Sequence, residues 1–241
     1  MDKNSIQLFE IGSYMLRNYI LKTPAGYIAI DTGYPGQLDT FLKRFAKIAP
    51  LQELKYIFLT HSHDDHAGFL KGLLSKCDAK VILNPSGIDD LQKGQNPILP
   101  GAGYATRMGA LFGVFKKDFS FPSVHLLPQQ MIAVTTEEEQ FFHTLGLPLT
   151  ILLLPGHTRD SIGLLWEDTG ILFAGDAAMN AVISLGKHTI WIDDAEQFGK
   201  SWDHMLKFAP KKIYPSHGNP FSPAYLVKYR HFMQGRTLIP M

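Results

Sequence analysis

A dense group of histidines and aspartates follows an apolar stretch in the first third of the chain. Within LTHSHDDHAG (59–68), six consecutive residues include three His and two Asp. Side chains two apart on an extended stretch point the same way, so His61 and His63 can reach one ion together. Asp65 and His66 come at the predicted turn into a helix. Imidazole and carboxylate suit zinc and comparable transition metals, so the segment predicts a metal site, with a histidine-rich surface loop as the alternative.

This segment resembles the signature of the metallo-β-lactamase superfamily, which has the form His-x-His-x-Asp-His and matches His61, His63, Asp65 and His66 without a gap. The resemblance extends over nearly the whole chain. It implies an α/β fold: an αββα sandwich of two mixed β-sheets with helices on the outer faces.

The same resemblance implies three more ligands, each after a predicted strand. The candidates are His157 in LPGHT, Asp176 in AGD and His217 in PSHG. Alone, each would be a weak signal, because a single histidine after a strand is more often structural. The resemblance implies two metal ions per chain and assigns the ligands to each ion. His61, His63 and His157 hold one ion, Asp65, His66 and His217 hold the other, and Asp176 bridges them.

One acidic residue is expected to support the ligands rather than bind metal. Asp31 lies in IDTG (30–33), which looks like the family's early Asp-Thr-Gly turn. It is predicted to orient a ligand by a hydrogen bond, with a purely turn-forming role as the alternative. Zinc is the metal that the ligand types favour, and iron and manganese fit nearly as well.

The implied reaction is hydrolysis. Two dipositive ions, two aspartates and one bridging hydroxide sum to about one positive charge, which favours an anion or a developing oxyanion. A metal-bound hydroxide is expected to cleave an ester, lactone or thioester-type bond, with Asp65 as the catalytic residue that orients the nucleophile and passes a proton. Asp176 stands where true β-lactamases typically carry Cys or Ser, which disfavours antibiotic hydrolysis.

Three other functions stay open at this point. A phosphodiesterase or nuclease of the same fold would use the same ions, but the chain has no strongly basic composition. A mononuclear iron oxygenase acting on thiols or persulfides would use mainly His61, His63, His157 and Asp176. A non-catalytic binding protein of this fold is expected to have lost ligands, and all of them are present.

Hydrophobic periodicity predicts the elements that position these residues. Strands are expected at Ile6–Ile11, Tyr14–Leu21, Tyr27–Ile30, Tyr56–Leu59, Lys80–Leu83, Leu149–Leu154, Ile162–Trp166, Ile171–Ala174 and Lys212–Tyr214. Helices are expected at Gln37–Ile48, from Asp65 to about Lys76, and from about Ala195 to Phe208. The predicted organisation is a single metallo-β-lactamase-like domain, 1–241, with an insertion at about 86–135.

The insertion and the loop after His157 hold the candidate substrate residues. Tyr104, Met108, Leu111, Phe112 and Phe115 are predicted to form one helical stripe, of which Tyr104 and Phe112 could line an apolar pocket. The stripe could equally pack on the core or join two copies in a homodimer. Arg159 could bind a substrate carboxylate or phosphate, or form a surface salt bridge.

The composition limits the classes of partner and the cellular compartment that we expect. The 23 basic and 22 acidic residues nearly cancel, so no global field draws in nucleic acid or an anionic membrane, and the expected partner is a small-molecule substrate. The first residues lack the apolar stretch of a signal peptide, and no run is long enough to span a bilayer. With one cysteine, Cys77, no internal disulfide can form. These features predict a cytoplasmic protein.

Overall fold

The computed structural model describes residues 5–115, 118–136, 140–182, 184–233 and 235–240, without the side chains of residues 112–115 and 185. The chain forms two compact units, each built from two stretches of sequence. The first unit comprises Met1–Asn96 and Phe119–Val134, and the second comprises Pro97–Asp118 and Thr135–Met241.

The described residues form twelve strands and seven α-helices, joined by turns and short 3₁₀ segments. The strands are β1 (Gln7–Glu10), β2 (Tyr19–Thr23), β3 (Gly26–Ile30), β4 (Leu54–Phe58), β5 (Lys80–Leu83), β6 (Gly103–Tyr104), β7 (Met131–Ala133), β8 (Leu149–Leu153), β9 (Ile162–Trp166), β10 (Ile171–Gly175), β11 (Trp191–Ile192) and β12 (Lys212–Pro215). The helices are α1 (Leu38–Phe45), α2 (Asp64–Ala67), α3 (Leu70–Leu74), α4 (Ile88–Lys93), α5 (Arg107–Phe115), α6 (Ala195–Lys207) and α7 (Ala224–Tyr229).

The first unit is built on a mixed sheet of six strands in the order β1-β2-β3-β4-β5-β7. Strands β1 to β3 form an antiparallel meander, and β3, β4, β5 and β7 are parallel neighbours. Alternate residues such as Ala29, Ile57 and Val81 share one buried cluster with Phe41 and Phe45 of α1. The period of two in the strands and the i, i+4 spacing in α1 therefore place one apolar face of each element in the same core.

The second unit contains a mixed sheet of four strands in the order β12-β10-β9-β8, and β6 pairs with β11 as a separate two-stranded ribbon. In the larger sheet β8, β9 and β10 are antiparallel neighbours, and β12 joins β10 in parallel. Helix α6 contributes Phe198, Trp202 and Met205 to a buried cluster that also holds Leu152 and Ile213. The strands β8, β10 and β12 therefore pack against α6 in one buried apolar cluster.

Two predicted elements are shorter than the periodicity suggested. The strand predicted for Tyr14–Leu21 begins only at Tyr19, because the backbone N–H of Ser13 donates to the carbonyl of Leu16 and closes a turn there. The helix predicted from Asp65 to about Lys76 is two helices, α2 and α3, because Phe69 has a non-helical backbone (φ −117°, ψ 16°).

The segment predicted as an insertion, 86–135, contributes to both units. Its last strand, β7, is a full member of the first sheet, and Leu91 and Phe121 belong to the core of that unit. The predicted helical stripe is wrong at Tyr104, which lies in β6, where its N–H donates to the carbonyl of Ile239. Met108 and Leu111 lie on α5 and are exposed. The side chains of Phe112 and Phe115, and residues 116–117, lie outside the described residues.

Nowhere in the described ranges is there a helix with the length and apolar character needed to cross a bilayer.

Candidate metal centre

The histidines of the first unit converge directly after β4. His61 and His63 lie on the extended stretch that follows the strand, and His63 is the residue that precedes α2, still extended at φ −71° and ψ 157°. The ring centroid of His61 lies 4.7 Å from that of His63 and 3.9 Å from that of His66. All three side chains are buried. Strand periodicity and the turn into α2 thus bring the three imidazoles of the motif together.

His66 is held in one tautomer by Asp31. The Nδ1 atom of His66 lies 2.8 Å from Oδ2 of Asp31, a distance that fits a hydrogen bond. The Asp31 carboxylate also accepts from the backbone N–H and the hydroxyl of Thr60, at 2.7 and 2.8 Å. Because an ionised carboxylate only accepts, Nδ1 of His66 donates, and Nε2 of the neutral ring carries the lone pair that a metal needs. Asp65 Oδ1 lies 3.7 Å from this Nε2.

Asp31 has an unusual backbone conformation at this position. Its φ is +59°, in the left-handed region that non-glycine residues seldom adopt, and its side chain is fully buried. Asp and Asn tolerate this region better than other residues that carry a side chain. The next residue, Thr32, donates from both its N–H and its hydroxyl to the carbonyl of His66. Residues 31 and 32 therefore fix both the ring and the backbone of His66.

Asn96 lies far from the motif in sequence but forms hydrogen bonds to it. Its Oδ1 accepts from the backbone N–H of Asp64 at 2.8 Å, and its Nδ2 donates to Asp64 Oδ1 at 2.8 Å. These bonds anchor the first residue of α2, next to the ligand candidates. Asn96 lies 32 positions from Asp64 with no motif around it, so sequence reasoning missed it.

The three candidate ligands of the second unit lie at the ends of its sheet strands. His157, Asp176 and His217 follow β8, β10 and β12. Oδ2 of Asp176 lies 3.9 Å from Nε2 of His157 and 3.6 Å from Nε2 of His217. These distances exceed a hydrogen bond. They approach the roughly 3.3 Å that separates two ligands bound to one zinc ion at about 2.0–2.1 Å in tetrahedral geometry.

The tautomer of His157 is set by a backbone carbonyl. Nδ1 of His157 lies 2.8 Å from the carbonyl oxygen of Trp191 in β11. Because a carbonyl can only accept, Nδ1 donates and Nε2 carries the lone pair, as in His66. Both histidines therefore present the same nitrogen, and each is held by a different kind of acceptor. The donor set fits a transition metal such as zinc or iron.

The loop of His157 is fixed against the start of α6. Gly156 has φ +132°, and a Cβ at this position would lie 2.2 Å from the backbone nitrogen of Phe198. Its carbonyl accepts from the N–H groups of Asp193 and Asp194, at 2.9 and 3.0 Å. Only a glycine allows this close approach, so the glycine of LPGHT is required by packing.

The predicted substrate residues have different surroundings. Tyr104 is buried, and its ring meets that of Trp191 edge-on at a centroid distance of 5.1 Å. Burial raises the pKa of the Tyr104 hydroxyl. Arg159 is half-buried in the loop that follows His157. The side chain of Phe112 lies outside the described residues, so its predicted role stays a prediction.

Comparison with known proteins points to one family. A family model described as the metallo-beta-lactamase superfamily matches residues 17–217. A metallo-beta-lactamase fold-containing protein of Sulfurisphaera tokodaii is 27% identical over 214 residues, which cover 84% of this chain and 72% of that protein. The beta-lactamase-like protein 2 homolog of Drosophila melanogaster is 25% identical over 83% of this chain, and the match spans only 58% of the fly protein.

Solved structures agree on the fold. TTHA1623, solved in a di-iron-bound form, superposes with a TM-score of 0.63 at 19% sequence identity, and the match covers 92% of this chain and 98% of that one. At this level of identity the likeness concerns the fold alone.

Proposed function

Because the chain belongs to the metallo-β-lactamase superfamily and has its α/β fold, we propose that it is a metal-dependent hydrolase with two divalent ions per chain, zinc in the first instance. The proposed substrate is a small molecule with an ester, lactone or thioester-type bond. A small-molecule substrate accords with the near-balance of basic and acidic residues, which gives no general attraction for nucleic acid. The cytoplasmic location remains a prediction.

The ligand assignment follows the family pattern. The proposed ligands of the first ion are His61, His63 and His157, those of the second are Asp65, His66 and His217, and Asp176 bridges the two. Within the second unit, this assignment is supported by Asp176 Oδ2, which is near Nε2 of both His157 and His217. That buried carboxylate, at ligand spacing from two imidazoles, is the observation that carries the proposal.

Bound divalent ions would polarise the carbonyl oxygen of the substrate and lower the pKa of a water molecule to about 7. The protein supplies orientation. Asp31 and the carbonyl of Trp191 bind Nδ1 of His66 and His157, so the opposite ring nitrogen, Nε2, is the one left to bind metal in each histidine. In this proposal Asp65, which lies in the first turn of α2 and is partly exposed, would hold the attacking water by a hydrogen bond. The same carboxylate can then carry the proton of that water to the leaving group.

The substrate class rests on one residue type and on composition. The family's true β-lactamases typically carry Cys or Ser where this chain has Asp176, so the carboxylate favours the broader hydrolase branches. The rings of Tyr104 and Trp191 meet edge-on, and the backbone carbonyl of Trp191 binds Nδ1 of His157.

The test measures metal content and hydrolysis together. Protein purified without chelator should contain two metal ions per chain and should hydrolyse at least one compound in a panel of lactones, thioesters, phosphodiesters and β-lactams. Asp176→Ala should lose metal and turnover. Asp65→Asn, which keeps the size of the side chain but removes its charge, should lower kcat by 100-fold or more. Near-normal turnover of Asp65→Asn with both ions bound would contradict the proposed proton transfer.

A second candidate is iron-dependent oxygen chemistry, since TTHA1623, which has the same fold, was solved with iron bound. The same His and Asp ligands accept iron. One iron per chain, together with oxygen uptake in the presence of a thiol or persulfide, would replace the hydrolase proposal. Zinc-supported hydrolysis without oxygen uptake would exclude this candidate.

A further inference from the structure

A cavity of about 450 Å³ lies on the second unit, away in sequence from every proposed metal ligand. It is formed along one side of α6 and by the residues that follow α7. Three cations line it: Lys200, Arg230 and Arg236. The volume is within the range of small-molecule sites in proteins.

Two of these cations have carboxylate partners within the cavity wall. Lys200 Nζ lies 2.7 Å from Glu196 Oε1, and the guanidinium of Arg230 pairs with the carboxylate of Asp203. Arg236 differs, because its guanidinium donates to the carbonyl oxygen of Ala105 and has no carboxylate partner among the described residues. A carbonyl orients the guanidinium but does not neutralise it. The cavity thus has three positive and two negative side chains, and the surplus charge is on Arg236.

The charge on Arg236 is also partly removed from water. Its side chain is half-buried, and this burial lowers the pKa of the guanidinium. A partly desolvated cation without a counter-charge costs free energy that a bound anion would recover. Guanidinium groups bind carboxylate and phosphate through two parallel hydrogen bonds, so Arg236 has the chemistry to fix an oxyanion.

Gly199 keeps the cavity open. It lies inside α6, a helix of 13 residues, where glycine is less favourable than alanine. Packing does not require this glycine, because the nearest atom to a Cβ placed there is the Cβ of Met233 at 3.5 Å, an ordinary contact. A side chain at this position would instead extend along the cavity wall. The helix is therefore less stable than it would be with alanine here, at a position where a larger residue would take up space in the cavity.

We propose that this cavity binds a small anion with a carboxylate or phosphate group, which pairs with Arg236. The site is separate from the proposed hydrolase reaction and does not depend on it. Its ligand is recognised by charge and by the fork of the guanidinium, with Gly199 leaving room for the body of the molecule.

The test is a titration of the zinc-loaded protein with inorganic phosphate at constant ionic strength, followed by ¹⁵N NMR at the backbone amide of residue 199. Saturable shifts are expected, and the dissociation constant should rise tenfold or more in Arg236→Met. Gly199→Leu should weaken binding to the same degree while the melting temperature stays equal or rises. Arg44→Met is the matched control, because Arg44 also donates to backbone carbonyls, those of Ile11 and Gly12, but does not line the cavity.

A parallel titration with acetate identifies the preferred oxyanion: the tighter of the two probes names the group. The proposal is overturned if neither anion shifts the Gly199 amide more than sodium chloride does. It is also overturned if Arg236→Met binds phosphate as well as Arg44→Met does. Hydrolytic activity has no part in either readout, so this result stands apart from that of the proposed function.

Discussion

Asp31 shows how one buried carboxylate can fix the orientation of a neighbouring histidine, His66, which is a candidate metal ligand. It accepts three hydrogen bonds, two from Thr60 and one from Nδ1 of His66. A carboxylate behind a ligating imidazole fixes the ring and raises its basicity. The left-handed backbone of Asp31 shows that the fold tolerates local strain to keep this group in place.

The first prediction concerns the charge of Asp31. Asp31→Asn keeps the size of the side chain and tolerates the left-handed backbone, but an amide is a weaker acceptor for Nδ1–H of His66. We expect zinc affinity to fall by about 10- to 100-fold, as is usual when a group behind a metal ligand is lost. Competition with a chromogenic chelator measures this. Asp39→Asn, an exposed acid in α1, is the control, and equal affinities in the two variants would refute the role of Asp31.

At the scale of elements, α6 supports His157 through the residues at its start. Asp194 precedes the helix, and its side chain accepts from the N–H of Gln197 at 2.9 Å. The backbone N–H of Asp194 donates to the carbonyl of Gly156, the residue before His157. Asp194 therefore joins the start of α6, through its side chain, to the loop of His157, through its backbone N–H.

Removal of the cap should destabilise α6. Asp194→Ala is expected to cost about 1 kcal/mol of the free energy of unfolding, since an N-terminal helix donor loses its acceptor. For a chain of this size that corresponds to roughly 2–4 °C in the melting temperature. Thermal unfolding followed by circular dichroism measures it. Asp194→Asn keeps a cap and should unfold near the temperature of the original protein, so a large loss in both variants would point to another cause.

A side chain at Gly156 should disturb the same contact. The Cβ of Gly156→Ala would lie 2.2 and 2.4 Å from the backbone nitrogen and Cα of Phe198, so α6 or the ligand loop must move. We expect a loss of about 1–3 kcal/mol in stability and weaker zinc binding through His157. Gly199→Ala, on the same helix, makes only an ordinary contact and should be neutral or stabilising by about 0.5–1 kcal/mol. Urea unfolding of both variants compares the two positions.

The elements nearest the ligands could be predicted from sequence, and their supporting contacts could not. Strand periodicity indicated β4, β8, β10 and β12, because each buries a continuous or alternating apolar pattern. The break between α2 and α3 was missed, since the apolar residues of 65–76 continue at helical spacing through Gly68 and Phe69. At Gly68, an added Cβ would lie 2.5 Å from the carbonyl oxygen of Gly33, a contact made far along the chain.

The same division holds for the candidate site. The motif predicted the candidate ligands, whereas Asn96 and the carbonyl of Trp191 contact Asp64 and His157 from more than 30 residues away in sequence. Neither has a spacing or residue pattern that could reveal it. Tyr104 was placed on a helix because its spacing matched that of α5, but pairing with β11 and with Ile239 outweighs this local preference.

For the whole molecule, metal should act as a ligand of the folded state. His and Asp ligands are brought together only by folding, so bound zinc favours the folded chain over the unfolded one. At free zinc of about 100 times its dissociation constant, each independent site adds about 2.7 kcal/mol to the free energy of unfolding. Urea unfolding with and without a chelator measures this. A variant with both His157→Ala and His217→Ala should lose most of the response, and an unchanged response would contradict the ligand assignment.

The parallel pairing of β5 with β7 has a consequence for synthesis on the ribosome. Strand β5 ends at Leu83 and its outer neighbour begins only at Met131. At roughly 5–20 residues per second, translation of the intervening segment takes on the order of 2–10 s. Throughout that interval β5, an apolar strand, has no neighbour on one edge in the nascent chain, and open edges of this kind pair readily with other chains. Slower translation through residues 84–130 would lengthen this exposure and lower the yield of soluble protein.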